Sequence, residues 1–249
     1  MRSITNSRRS GFYRSAIFIC LMSDIKEKLN AVLSDIAGGN NFGEKITLLG
    51  ATKYVSMDKI TEACENGLAV IGENHAQEFR DKFPFYPEGV EKHFIGTLQS
   101  NKLKYVVGKA DSIDSVSSLD MAKKINDFAA KKGVIQNIMP EINAGCEASK
   151  TGMTFDELKR VFDDMAALPN LKIIGIMAML PITVELPITA DAETLAGITR
   201  GIRAFYDEKR KNLPDMKYLS IGMTGDYKIA IANGSNMIRI GRAIFGQRY

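Results

Sequence analysis

Between residues 46 and 241 the chain alternates short, continuously apolar runs with longer segments whose apolar positions recur at helical spacing. Eight runs have the length and aliphatic content of strands buried on both faces: ITLLGAT (46–52), LAVIGE (68–73), KHFIGT (92–97), ADSIDSV (110–116), IQNIMPEI (135–142), KIIGIMAM (172–179), KYLSIGM (217–223) and NMIRIG (236–241). The amphipathic segments between them include SMDKITEACENG, LQSNKLKYVVG, SSLDMAKKINDFAAKKG, TFDELKRVFDDMAAL and the stretch 190–211. Gly67, Gly108 and Gly133 close three of these segments, at the position where a left-handed residue ends a helix. Before the first run, SDIKEKLNAVLSDI reads as a helix capped by Ser23, with Ile25, Leu29, Val32, Leu33 and Ile36 facing inward.

Regular alternation of strand and helix predicts a parallel sheet, and eight such units predict a single α/β domain closed as a (β/α)8 TIM barrel. No helix-length segment follows the eighth run, so the helix at 23–37 is expected to cover that gap. A doubly wound open sheet is the alternative; the GxGxxG turn that such sheets carry after their first strand is missing here. The barrel is expected to span 22–249, with 1–21 as an extra segment outside the fold and Met22 as a candidate start. That segment is basic and free of acids, and its apolar run AIFICLM is well short of the ~20 residues a membrane span needs.

Composition narrows the partners. Of 249 residues, 45% are hydrophobic and 25% charged, ordinary values for a soluble globular chain. The net charge of +4 owes much to Arg2, Arg8, Arg9 and Arg14, and no basic stripe carries interleaved aromatics, so neither nucleic acid nor membrane is expected as a partner. Cys20, Cys64 and Cys146 are odd in number and lack CxxC spacing, which argues against disulfides or zinc and fits the reducing cytoplasm. With only His75 and His93 present, metal sites and histidine triads are poorly supplied.

Lys53 is out of keeping with its surroundings, because it stands at the carboxyl end of the first apolar run. Read blandly, it is a surface lysine just past a strand. In a barrel that end faces the active-site mouth, and an amine held among apolar walls becomes a competent nucleophile toward aldehydes. The last forty residues add a second signal: the seventh run closes on Ser220, Gly222 and Met223 with Thr224 next, the eighth closes on Gly241 with Arg242 next, and small and hydroxyl-bearing residues recur among them. Backbone amides beside a helix start at Gly225-Asp226 suit a phosphate there; a tight turn with a capping Thr224 or Asp226 is the structural alternative. A phosphate clamp facing an amine fits a phosphorylated aldehyde, of which pyridoxal 5′-phosphate (PLP) is the obvious example.

GATK (50–53), GENHAQE (72–78), HFIGTLQSNKLK (93–104), INAGCEASKTGM (142–153), GIMAM (175–179) and SIGMTGDYKIAIANGSNMIRIGRAIFG (220–246), taken together, resemble the pyridoxal phosphate homeostasis family. The resemblance runs from about residue 23 to the end and implies a PLP barrel like the N-terminal domain of alanine racemase. It implies that Lys53 holds PLP as a Schiff base and that 220–224 with the amides of Gly241 and Arg242 holds the phosphate. It further implies that Arg239 approaches the pyridine nitrogen, where a cation weakens the electron sink. Asn74 would sit near the ring or the lysine, or cap a helix; Lys150 is a second lysine that would handle PLP, or else a solvated loop residue. His93, Gly96, Gln99 and Asn101 surround the third run, with His93 reading as structural. Departures from the family pattern are YVS after Lys53, SIGM in place of SMGM, and an unassigned loop VELPITAD (184–191).

Racemases and decarboxylases of this fold add a second domain bearing another acid/base, and no opposite-face base is evident in this sequence. The implied function is therefore PLP homeostasis: a cytoplasmic, monomeric holder that delivers PLP to apo PLP-dependent enzymes. The alternatives are a small PLP-dependent racemase, a lysine-dependent aldolase, or an interaction protein that retains a cofactor pocket.

Overall fold

A computed structural model describes residues 24–145, 151–181 and 192–246. All eight predicted runs are strands: β1 (Thr47–Ala51), β2 (Val70–Glu73), β3 (Glu91–Phe94), β4 (Ser112–Val116), β5 (Gln136–Asn143), β6 (Leu171–Ile173) with β7 (Gly175–Met179), β8 (Tyr218–Ile221) and β9 (Met237–Ile240). The sixth run is split at Ile174, and both halves pair with β5, so β6 and β7 form one stave. Every neighbouring pair is parallel, β4 joins β5, and β9 returns to β1 with Leu49 opposite Arg239. The result is a closed eight-stave barrel.

The helices are α1 (24–36), α2 (Met57–Glu65), α3 (Ala76–Lys82), α4 (Leu103–Val106), α5 (Leu119–Lys132), α6 (Phe155–Ala166), α7 (Ala192–Arg210), α8 (Tyr227–Ala232) and α9 (Arg242–Phe245). Strand alternation sorts side chains into two sets. Leu49, Val70, Met139, Ile174, Met177, Tyr218 and Met237 fill the barrel, while Leu48, Ile71, Ile238 and Ile240 turn outward. Ile25, Leu29, Val32 and Ile36 of α1 bury against that outward set together with Ile244 and Phe245. The helix before β1 thus covers the seam between the first and last staves, as its pattern predicts; Leu33 is only partly buried. Gly67, Gly108 and Gly133 all take positive φ at helix ends.

Two expectations are corrected. A single helical turn, α9, does follow the last strand. The segment LQSNKLKYVVG is not a continuous amphipathic helix; a 3-10 turn (Ser100–Lys102) leads into the four-residue α4. Leu98, Leu103, Val106 and Val107 are all buried by that compact path, so the connection satisfies its apolar residues without a longer helix.

Where β4 meets β5 the register slips, with Ile113 opposite Ile138 and Val116 opposite Pro140. Pro140 donates no backbone hydrogen bond, and an irregular pairing accommodates it. Residues 1–21, Lys150 and the loop 184–191 lie outside the described residues. Among the described residues, no helix is long and apolar enough to cross a membrane.

Candidate functional site

Lys53 lies two residues beyond β1, in a turn closed by Val55 N–H donating to the Thr52 carbonyl at 3.0 Å. Thr52 is buried and fixed to β2, its N–H donating to Gly72 O at 2.8 Å. Lys53 is half-buried, and its ammonium has no hydrogen-bond or ion-pair partner among the described residues. Next to it Tyr54 is the one described non-glycine residue with positive φ, at 58°.

On the adjacent stave, β9, Arg239 points into the barrel and is 5% exposed. Its guanidinium donates to Ser220 O (2.7 Å), Ser220 Oγ (3.0 Å) and Ala178 O (3.1 Å), and touches Met179 Sδ at 3.2 Å. Burial pulls its pKa down, and the charges of Asp226, Asp114 and Glu141 oppose that fall. Ser220 is fully buried beneath this group, so the structure places it as a holder of Arg239.

The turn after β8 has the shape that an anion loop needs. Gly222 has φ 111°, and a Cβ there would lie 2.8 Å from Tyr227 Cα, so no larger residue fits. The N–H groups of Thr224, Gly225 and Gly241 donate to no described residue. Met223 differs from them, because its N–H donates to Asp226 Oδ1 at 2.6 Å and is already spent. Thr224 and Arg242 are exposed, and a depression of about 220 Å³ is lined by Thr224, Gly225, Asp226 and Tyr227.

Asn74 follows β2. It does not cap α3, whose N-cap is His75 with no side-chain bond, and its Oδ1 is buried with no partner. Such an orphaned acceptor is uncommon and calls for a donor. Gly96 explains how the loop comes so close: a Cβ there would lie 1.9 Å from Asn74 O. Gln99 and Asn101 are exposed. Glu73, His75 and Glu78 have potential ligating atoms within 4.8 Å of one another, but the Lys82 ammonium is bonded to both carboxylates and already fills the cation position.

His93 is buried in the barrel, with Nδ1 2.6 Å from Asp114 Oδ2 and Nε2 3.0 Å from Glu91 Oε1. A neutral ring would turn a lone pair toward one of these carboxylates, so both nitrogens carry protons. Burial alone would lower its pKa; the charge and hydrogen bond of Asp114, joined by Glu91, outweigh burial and raise it to about 9. Its position matches the structural reading.

Glu141 escaped the sequence reading. It faces inward on β5, two residues after the interior Met139, and is 5% exposed. Thr151 Oγ1 lies 3.3 Å from Glu141 Oε2. Burial raises its pKa against the opposing charge of Arg239 and the bond to Thr151. The signal was available: an acid inside the apolar run IQNIMPEI is as anomalous as Lys53 at the end of its own run.

Residues 51–249 match the family model for the alanine racemase N-terminal domain. The chain is 35% identical over 229 residues to the pyridoxal phosphate homeostasis protein of Aquifex aeolicus, covering 91% of this chain and 96% of that one. It is 36% identical over 236 residues to the Escherichia coli (strain K12) protein of the same name, covering 91% and 98%. PipY of Synechococcus elongatus, solved with PLP bound, superposes with a TM-score of 0.74 at 26% identity, covering 89% of this chain and 100% of that one. The chain belongs to the pyridoxal phosphate homeostasis protein family, built on the alanine racemase N-terminal domain.

Proposed function

We propose that this chain binds pyridoxal 5′-phosphate through Lys53 and passes it to apo PLP-dependent enzymes in the cytoplasm, as a holder of the cofactor with residues 22–249 as the binding unit. The carrying observation is that an unpartnered amine after β1 and a buried cation on the adjacent β9 open toward one end of one barrel. The family name of the relatives and the PLP bound to PipY support the same reading.

The residues present fit the cofactor. Lys53 would hold its aldehyde carbon, and the free amides of Thr224, Gly225 and Gly241 would hold its phosphate, with Gly222 giving the close approach and Thr224 a hydroxyl. Arg242 completes that set as backbone, Met223 belongs to the loop with its N–H already given to Asp226, and the orphaned Asn74 Oδ1 would accept a donor. When bound, the group supplies an aldehyde that links reversibly to amines and a ring that withdraws electrons. Arg239 keeps a fixed positive charge at the site, which opposes proton uptake by a neighbouring pyridine nitrogen and so favours holding over carbanion chemistry. Lys150, a second lysine that would handle PLP, belongs to the same reading.

The test is an absorbance spectrum of wild type and Lys53→Ala with PLP, followed by borohydride reduction and peptide mass spectrometry. A near-visible band and a label on Lys53 are expected in wild type, and neither in the variant. Label distributed over surface lysines with equal retention in Lys53→Ala would overturn the reading.

A second reading, a small PLP-dependent racemase, has one observation in its favour: Glu141 is an inward-facing acid held toward its protonated form. Steady formation of a D-amino acid, lost in both Lys53→Ala and Glu141→Gln, would select it.

A further inference from the structure

We infer that Glu78 and Lys82 of α3 are positioning residues that set the turn carrying Lys53; this rests on the reading of Lys53 as the cofactor amine.

The two residues flanking Lys53 are gripped by the two ends of one ion pair. On one side the Thr52 carbonyl accepts from Lys82 Nζ at 2.8 Å. On the other, the Tyr54 N–H donates to Glu78 Oε1 at 2.8 Å. Lys82 and Glu78 are themselves joined at 2.6 Å, one helical turn apart on α3. The grip spans more than twenty residues of sequence and joins a loop of the mouth to a helix on the outer layer.

The turn needs such a grip. Tyr54 holds a left-handed backbone that an L-residue with a Cβ disfavours, and no glycine supplies it. Its side chain is exposed, so core packing does not enforce the conformation. The hydrogen bond that its N–H donates to Glu78 does, with the ring resting 4.8 Å from the His75 ring and the hydroxyl 3.4 Å from His75 Nε2. His75 Nδ1 lies 3.2 Å from Glu78 Oε2, so the second oxygen of the same carboxylate fixes the ring that the tyrosine rests on.

Lys82 is anchored from below. Its ammonium donates to Thr52 O, Glu73 Oε2 and Glu78 Oε1, three acceptors for three N–H groups. Glu73 in turn accepts from the amides of Asn74 (2.7 Å) and His75 (3.3 Å) at the start of α3. Burial raises the Glu73 pKa and Lys82 opposes it; at Glu78, bonds from Lys82, His75 and the Tyr54 amide overcome burial and lower the pKa. Of the two lysines beside this turn, Lys82 therefore has no hydrogen left to give, while the Lys53 ammonium is unpartnered among the described residues. The backbone on both sides of Lys53 is fixed and its side chain is free, the arrangement that orients a nucleophile before its ligand arrives.

The experiment measures PLP loading of Lys53, by absorbance and by borohydride-trapped label at the Lys53 peptide, in wild type, Glu78→Ala, Glu78→Gln, Lys82→Met and the Glu78→Ala/Lys82→Met pair. Lys124→Met, which breaks an exposed ion pair with Asp120, is the control and loads as wild type does. Glu78→Ala and Lys82→Met should each slow loading about tenfold or more, with the double variant no worse than the singles, because one unit is being removed twice. Glu78→Gln keeps an oxygen for the Tyr54 amide and should recover much of the Glu78→Ala loss at a similar melting temperature. Folded variants that load at the wild-type rate would overturn the inference, as would a Gln variant no better than Ala. Should Lys82→Met not fold, the Ala/Gln pair decides alone. A wild-type chain that leaves Lys53 unlabelled strikes the functional reading itself, and the inference falls with it.

Discussion

Among the described residues no carboxylate is bonded to Arg239; its buried guanidinium is held by the carbonyls of Ser220 and Ala178, the Ser220 hydroxyl and a methionine sulfur. Truncating it removes one donor from each of two buried carbonyls and a cation that opposes Asp114 and Glu141 inside the barrel. Arg239→Ala should therefore cost about 2–4 kcal/mol in cofactor-free unfolding by urea. A loss below about 0.5 kcal/mol would mean that water replaces the guanidinium at little cost. Much at this scale was legible. Arg239 was reached through the family resemblance, whereas Lys53 stands out because it is a charge at the end of an apolar run. Glu141 obeys the same logic and was passed over. The grip on the Lys53 turn was not legible, since the spacing of Glu78 and Lys82 reveals a helical ion pair but says nothing about which loop lies against it.

Among elements, the connections decide how closely the loops of the mouth approach one another. Gly96, two residues after β3, lets Asn74 pack against it; a methyl group there meets Asn74 O at 1.9 Å and Asn74 Cα at 2.6 Å, both backbone. Backbone cannot rotate away as a side chain tip can, so Gly96→Ala should cost about 3 kcal/mol in thermal or urea unfolding, the upper end for overpacking. Loading of Lys53 should fall with it, because Asn74 leads into the helix that grips the lysine turn. A variant as stable as wild type would show that the β2–α3 loop is free to move. All eight strand runs were legible because a strand buried on both faces needs an unbroken apolar stretch. The segment after β3 was misread, because four buried residues can be served by a short 3-10 turn and one helical turn as readily as by a full helix. Periodicity cannot choose between them; the distance to the next strand does.

The whole molecule has a barrel whose interior is partly polar. Within it His93 is raised to about 9 between Asp114 and Glu91. A raised folded-state pKa means stability fully present below the unfolded value, near 6.5, and lost as pH climbs through about 9. Unfolding free energy should decline across that window by up to ~3 kcal/mol, and His93→Gln should flatten the slope there. Equal slopes in both proteins would show that the ring is neutral in the folded chain. Barrel closure and the seam helix α1 were legible from the count and order of elements. The interior charge network was not, because Glu91, His93, Asp114 and Arg239 come from three strands and meet only once the sheet closes.

Glu91 is the first residue of β3, and its side chain, 31% exposed, stands at the amino end of the strands, opposite the end at which Lys53 follows β1. The barrel therefore has a back door for protons. Filling the front with a bulky guest leaves that rear entrance open, so the part of the alkaline loss that His93 carries should be the same in the loaded and the empty protein.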